Sequence, residues 1–147
     1  MSLFNSMNIS ASGLTAERMR MDVISKNIAN ANTTRTSNGT PYRRQVVTFK
    51  EKNTHHPFSH FLSEATRQKI GLGGVEVTGI QQDASPYKMV FDPGHPDANA
   101  EGYVQMPNVD IMTEMANLIT ASRAYEANVT AMNTTRNMAL RALDIGR

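Results

Sequence analysis

Residues 108–145, NVDIMTEMANLITASRAYEANVTAMNTTRNMALRALDI, contain neither glycine nor proline, and their apolar positions recur with one period from end to end. Alternating steps of four and three from Ile111 reach Met115, Leu118, Ser122, Tyr125, Val129, Met132, Arg136, Ala139 and Leu143, and eight of these ten positions are apolar or aromatic. A repeat so close to 3.5 residues is the pattern of a long helix that packs along its length, coiled-coil fashion. Pro107 precedes it, Asn108 or Asp110 can cap it, and Asp110 with Glu114 suits the positive end of the helix dipole. Gly146 stands where a helix stops. Arg136, which interrupts the row, is expected to pair with an acidic group or to extend its head into solvent.

A second arm lies at the opposite end of the chain. From Ser2 to Asn32 there is one glycine, Gly13, and no proline. Met7, Leu14, Met21 and Ile28 recur at intervals of seven, Ala11 and Ile24 fill intermediate turns, and Ile9, Ala16 and Val23 form a second seven-residue row. Two rows make a stripe broad enough to want more than one packing partner. Asn5, Ser6 or Asn8 is the expected cap. Asn30, Asn32, Thr33 and Thr34 mark the end, because short polar side chains compete for backbone hydrogen bonds. The organisation is therefore a helical arm over 1–33, an irregular or β-rich middle over 34–107 that holds all six prolines, and a long helix over 108–147. At 1.5 Å per residue the arms measure about 40 Å and about 55 Å, long for so short a chain.

The middle offers strands at residues 42–50 (YRRQVVTFK, after an Asn38-Gly39 turn), 74–80 (GVEVTGI) and 87–91 (YKMVF). Residues 92–97 (DPGHPD) form an ordered turn or exposed loop. Within 51–70, Phe58, Phe61, Leu62 and Ala65 would share one face of a short helix. The expected fold is mainly α with a small β-rich middle: long N- and C-terminal helices forming a coiled-coil-like inner layer, with short strands and loops in between.

Composition narrows the function. The 147 residues suffice for one ordinary domain. Zero cysteines remove disulfide scaffolds, thiolate zinc sites, iron–sulfur clusters and thiol nucleophiles. Fifteen Lys and Arg against thirteen Asp and Glu leave a net charge of +2, too weak for a nucleic-acid footprint. No apolar run approaches the roughly 18 residues of a membrane span. The first 17 residues lack Lys and Arg, so no cleavable secretory signal is expected. Hydrophobic residues are 39% of the chain, below the globular average of about 45–50% counted with glycine. A small chain with so thin an apolar inventory folds marginally or shares a core with neighbours.

Catalytic and metal candidates fare poorly. His55, His56 and His60 lie close together, and His56 and His60 have the spacing of helical ligands, but Pro57 sits between them and the reading is a solvated polar loop. His95, between two prolines, suits a positioning hydrogen bond. Gly71-Leu72-Gly73-Gly74 lacks the Lys-Ser/Thr of a phosphate loop and reads as a hinge or turn before a strand. Tyr42-Arg43-Arg44 is too few cations for nucleic acid. No nucleophile–base set has a supporting motif, so neither an enzyme nor a bound cofactor or metal is expected. The arms could pair as a monomeric hairpin adaptor, but Met7, Met21, Met115 and Met132 give adaptable contacts suited to several unlike neighbours, which favours assembly.

Residues 25–33 (SKNIANANT) resemble the S-x-N-I-A-N-x-N-T signature of bacterial flagellar axial proteins: rod, hook and hook-associated. Residues 92–98 (DPGHPDA), 102–104 (GYV), 107–109 (PNV), 114–115 (EM) and 121–128 (ASRAYEAN) look like the FlgC family of proximal rod proteins. The resemblance covers roughly residues 2–50 and 85–147, while 55–73 match nothing specific. Distal rod and hook proteins carry a long additional β domain that 147 residues cannot hold, which leaves a FlgB-like sister subunit as the nearest alternative. The resemblance implies a structural subunit of the basal-body rod in the periplasm, exported through the flagellar type III apparatus without a cleaved signal. Its implied partners are further copies in a helical rod, other proximal and distal rod proteins, and the MS-ring/FliE junction. The terminal segments of such subunits are expected to order on assembly. The candidate subunit-interface residues are then Met7, Leu14, Met21, Ile24, Ile28, Ile111, Met115, Leu118, Tyr125, Val129, Met132 and Leu143. Asn27, Asn30 and Asn32 join them, either closing the first helix and its following turn or bridging subunits.

Overall fold

The computed structural model describes residues 3–52 and 73–145. Two helices, α1 (Leu3–Ala29) and α2 (Ile111–Ile145), flank four short strands: β1 (Gln45–Glu51), β2 (Val75–Gln82), β3 (Lys88–Phe91) and β4 (Tyr103–Met106). At 27 and 35 residues the helices agree with the two gly/pro-poor arms. The strands form two antiparallel ribbons, β1 with β2 and β3 with β4. The fold is mainly α with a small antiparallel β region between the helices. The histidine cluster at 55–60, the proposed short helix beyond residue 52, and Gly146 lie outside the described residues.

α1 and α2 pack against each other and run antiparallel. Asn27 near the end of α1 bonds Glu114 near the start of α2, and fourteen residues earlier Gly13 lies against the Asn128 side chain. Small residues allow that approach: a Cβ on Gly13 would come within 3.1 Å of Asn128, and Ala16 and Ala121 are 3% and 0% exposed. The covered line on α2 therefore runs Glu114, Ala121, Asn128, Thr135, with Leu118, Tyr125, Met132 and Ala139 along one side of it. Ile111, Met115 and Leu143, from the expected 3.5-residue row, are exposed instead. α2 carries more apolar surface than α1 covers.

α1 has a second partner, as its two rows require. The β1–β2 ribbon lies along it from Gln45, which bonds Asn27, to Val75, whose N–H donates to the Ser12 hydroxyl (3.0 Å). Val23 and Ile24 (each 6% exposed) and Val47 (9%) are buried there. Each such side chain contributes about 1.5–3 kcal/mol by leaving water. Gly73 and Gly74 directly precede β2, as a turn before a strand does. They mark close approach at the base of this ribbon, where a Cβ would collide with the Lys52 carbonyl and the Ser12 hydroxyl respectively.

Asn5, Ser6 and Asn8 lie inside α1, which begins at Leu3, so they do not cap it. Asp110 does cap α2: its carboxylate accepts from the Met112 N–H (3.1 Å) and the Thr113 hydroxyl (3.1 Å). Residues 92–97 form an ordered turn, with the His95 N–H donating to the Asp92 carbonyl and the Asp97 N–H to His95 Nδ1 (3.1 Å). Strand β4, bracketed by Gly102 and Pro107, is an element that hydropathy alone did not mark. It buries Val104 (1% exposed), while Ala31, Tyr42 and Val109 form a small core of their own.

Candidate functional site

Four distant stretches of chain converge at the corner where α1 ends and α2 begins. Asn27 is 1% exposed and uses every hydrogen-bonding position it has. Its Nδ2 donates to the Gln45 carbonyl (2.8 Å) and to Glu114 Oε2 (2.9 Å), while its Oδ1 accepts from the Tyr42 hydroxyl (2.9 Å) and the Gln45 N–H (3.0 Å). Glu114, also 1% exposed, takes Arg44 Nε (2.8 Å) and Nη2 (2.7 Å) on Oε1. Arg44 Nη1 reaches Asp83 Oδ2 at 3.2 Å. Asn108 completes the set, accepting from the Arg44 N–H (2.8 Å) and donating to the carbonyls of Asp83 and Ser85. A buried charge is tolerable only with partners of this quality.

The titration of these groups follows from the contacts. Burial alone would lower Arg44, but its bonds to Glu114 and Asp83 outweigh that and hold it above the ordinary arginine value. Burial, with the nearby Glu114 charge, pushes the Tyr42 phenol up. The Ser85 hydroxyl and N–H, then Arg44, bring Asp83 down to about 2. Arg44, Tyr42 and Asp83 therefore sit in their bonded forms near neutral pH. The arrangement has no free nucleophile or base. It ties α1, α2 and the strand region to one another.

The other signature asparagines divide. Asn30 donates to the Lys26 carbonyl (2.9 Å) and accepts from the Thr33 hydroxyl (3.2 Å), which closes α1 and starts the following turn. Asn32 is exposed. Of the remaining candidate residues, Ile24 is buried, while Met7, Leu14, Met21, Ile28, Leu118, Tyr125, Val129 and Met132 are half-buried. Ile111, Met115 and Leu143 are turned outward at 41%, 50% and 71% exposure. Sequence reasoning missed Arg44, Asp83 and the burial of Glu114. The available signal was a carboxylate at position 114, one turn before Leu118 and seven residues before Ala121, on the covered face of a helix. Among the described residues no group of three His, Asp or Glu side chains is placed to hold a metal ion, and no described helix is long and apolar enough to cross a membrane.

Comparison with known proteins bears directly on this corner. The profile described as flagella basal body rod protein matches residues 7–35, and that of the flagellar basal body rod FlgEFG protein C-terminal matches residues 100–145. Over its full length the chain is 50% identical to the flagellar basal-body rod protein FlgC of Bacillus subtilis (strain 168), covering 100% of both chains. It is 46% identical to FlgC of Borreliella burgdorferi, covering 99% of this chain and 98% of that one, and 38% identical to FlgC of Escherichia coli O6:H1, covering 100% of both. The chain belongs to the FlgC family of flagellar basal-body rod proteins. It is a structural rod subunit, and a FlgB-like identity is not favoured. In this FlgC-family chain the polar corner joins the two profile-matched segments, since Asn27 lies in the first and Glu114 in the second.

Proposed function

We propose that the chain builds the proximal rod by helical assembly through its terminal helices, which form a coiled-coil-like inner layer with the strand region as an outer, more polar layer. One observation carries this reading. On a chain whose full-length relatives are rod proteins, α2 keeps an apolar face that α1 leaves uncovered, with Ile111, Met112, Met115 and Ile119 between 41% and 76% exposed. A non-closing, head-to-tail contact through such a face generates a helix of subunits, where an isologous contact would stop at a dimer. The ordering entropy of the arms is then offset at assembly. Torque passes across the periplasm through many side-by-side helices, while the polar corner holds each strand region at a fixed angle to its arm.

The partners in this reading are further copies of the chain, other proximal and distal rod proteins, the MS-ring/FliE junction and the type III export apparatus. The site in this reading is the periplasmic part of the basal body. Ile111, Met115, Leu143 and Asn32 are the candidate interface residues already facing outward. The test is complementation of a strain lacking its own FlgC with Met112→Asp or Met115→Asp. Expected are normal synthesis and helix content with no rod assembly and no swimming. Wild-type motility with Met115→Asp contradicts the proposal.

A further inference from the structure

The outer face of the β3–β4 ribbon breaks the alternation of a half-buried sheet. Register pairs Met89 with Gln105 and Phe91 with Tyr103, on the side opposite buried Val104. Polar residues belong on that outward side, yet Met89, Phe91 and Tyr103 are 53%, 64% and 40% exposed. The aromatic pair is held in place. The rings meet edge to face with centroids 5.3 Å apart at 67°. Gly102, at φ +82°, passes so close that a Cβ would come within 2.9 Å of the Phe91 ring. The Asn99 side chain accepts from the N–H groups of Glu101 and Tyr103. A large ring held rigid in water loses little freedom on contact, which is the property of an interface anchor.

Asp92 and Glu101 stand exposed beside this face, and Arg35 nearby is paired with Asp97, so the balance is acidic. The opposite end of the molecule has the complementary chemistry. At the arm tip Phe4, Met138, Leu140 and Leu143 are 50–74% exposed, and Arg136 and Arg141 stand exposed there against one acid, Asp144. The ribbon shares a groove with Asp110 and Ile111 at the start of α2, and the 35 residues of that helix place the tip about 50 Å away. Face and tip cannot meet within one chain, and their contact between chains is heterologous and open-ended.

We propose that the Met89–Phe91–Tyr103 face seats the apolar, cationic arm tip of a second copy of this chain in the rod. This rests on the rod reading and adds to it a specific docking surface. The test places a photo-crosslinking benzoylphenylalanine at Phe91 of the full chain in motile cells, with Met89 as a second probe position and Met112 on α2 as control. The expected adduct contains a peptide from the terminal helices of another copy of this chain, and it is lost when Asp92 and Glu101 are both changed to Lys; an adduct with a different rod protein overturns the proposal. Adducts with a strand region or a ring protein overturn the proposal. So does the absence of any adduct from positions 89 and 91 in swimming cells whose Met112 control cross-links to rod subunits. If the chain is absent from basal bodies altogether, the rod reading fails, and this inference with it.

Discussion

At the scale of single residues, the account turns on Glu114. Its carboxylate is buried between Asn27 and Arg44, so removing it strands a cation and an amide with unmet bonds. Glu114→Ala is expected to lower stability by about 3 kcal/mol, the low end for breaking a buried pair, because Arg44 keeps a quarter of its side chain in water. A urea titration should show a lower midpoint with little change in slope; an unmoved midpoint contradicts the role assigned to the corner. Acid acts through Asp83, whose pKa falls to about 2 on folding from the ordinary 3.8. A depressed carboxylate stabilises the fold above its unfolded pKa and loses that contribution as pH falls through the folded one. Stability should therefore decline between about pH 4 and pH 2 in a way that Asp83→Asn flattens, seen as converging thermal midpoints of the two proteins.

At the scale of elements, the ribbon's seat on α1 depends on Gly74. Gly74→Ala forces its new Cβ into the Ser12 hydroxyl that receives the Val75 N–H. Faster hydrogen exchange at the Val75 amide is expected, with protection at the α1–α2 contact unchanged. Both helices were legible in the sequence because uninterrupted periodicity over 27 and 35 residues leaves little else for those segments to be. The side of α2 that meets α1 was not. A hydropathy stripe is drawn through large residues, whereas two closely spaced helices want small ones, and here the contact line is Glu114, Ala121, Asn128 and Thr135. Strand β4 escaped because its four residues carry little period of their own, whereas β3, equally short, was read as part of the longer run 87–91. The polar corner escaped because Asn27, Arg44, Asp83 and Glu114 meet only after every element between them has folded. Asn30 fared better, since its bonds to Lys26 and Thr33 are local.

At the scale of the whole molecule, the proposed assembly accounts for the low apolar content as a core shared with neighbouring subunits. Among the described residues, the corner and the adjoining halves of the helices contain the buried ones, and none is buried in α1 before Ala16 or in α2 after Ala121. The outer side of α2 and the arm tip hold apolar side chains that the described residues leave uncovered. That distinction sorts substitutions by consequence. Ile28 and Leu118 are half-buried within the chain, so Ile28→Asp and Leu118→Asp should reduce helix content as well as assembly. Met112→Asp, at a position 76% exposed, should leave circular dichroism unchanged and act on assembly alone. The most direct measurement is a cryo-electron microscopy map of isolated basal bodies at a resolution that separates helices. The account predicts the α1–α2 pair of this chain in the inner layer of the proximal rod, with the Ile111–Met115 face of α2 packed against a neighbouring subunit. A rod in which that face lies against open solvent, or in which no density fits the pair, would contradict it.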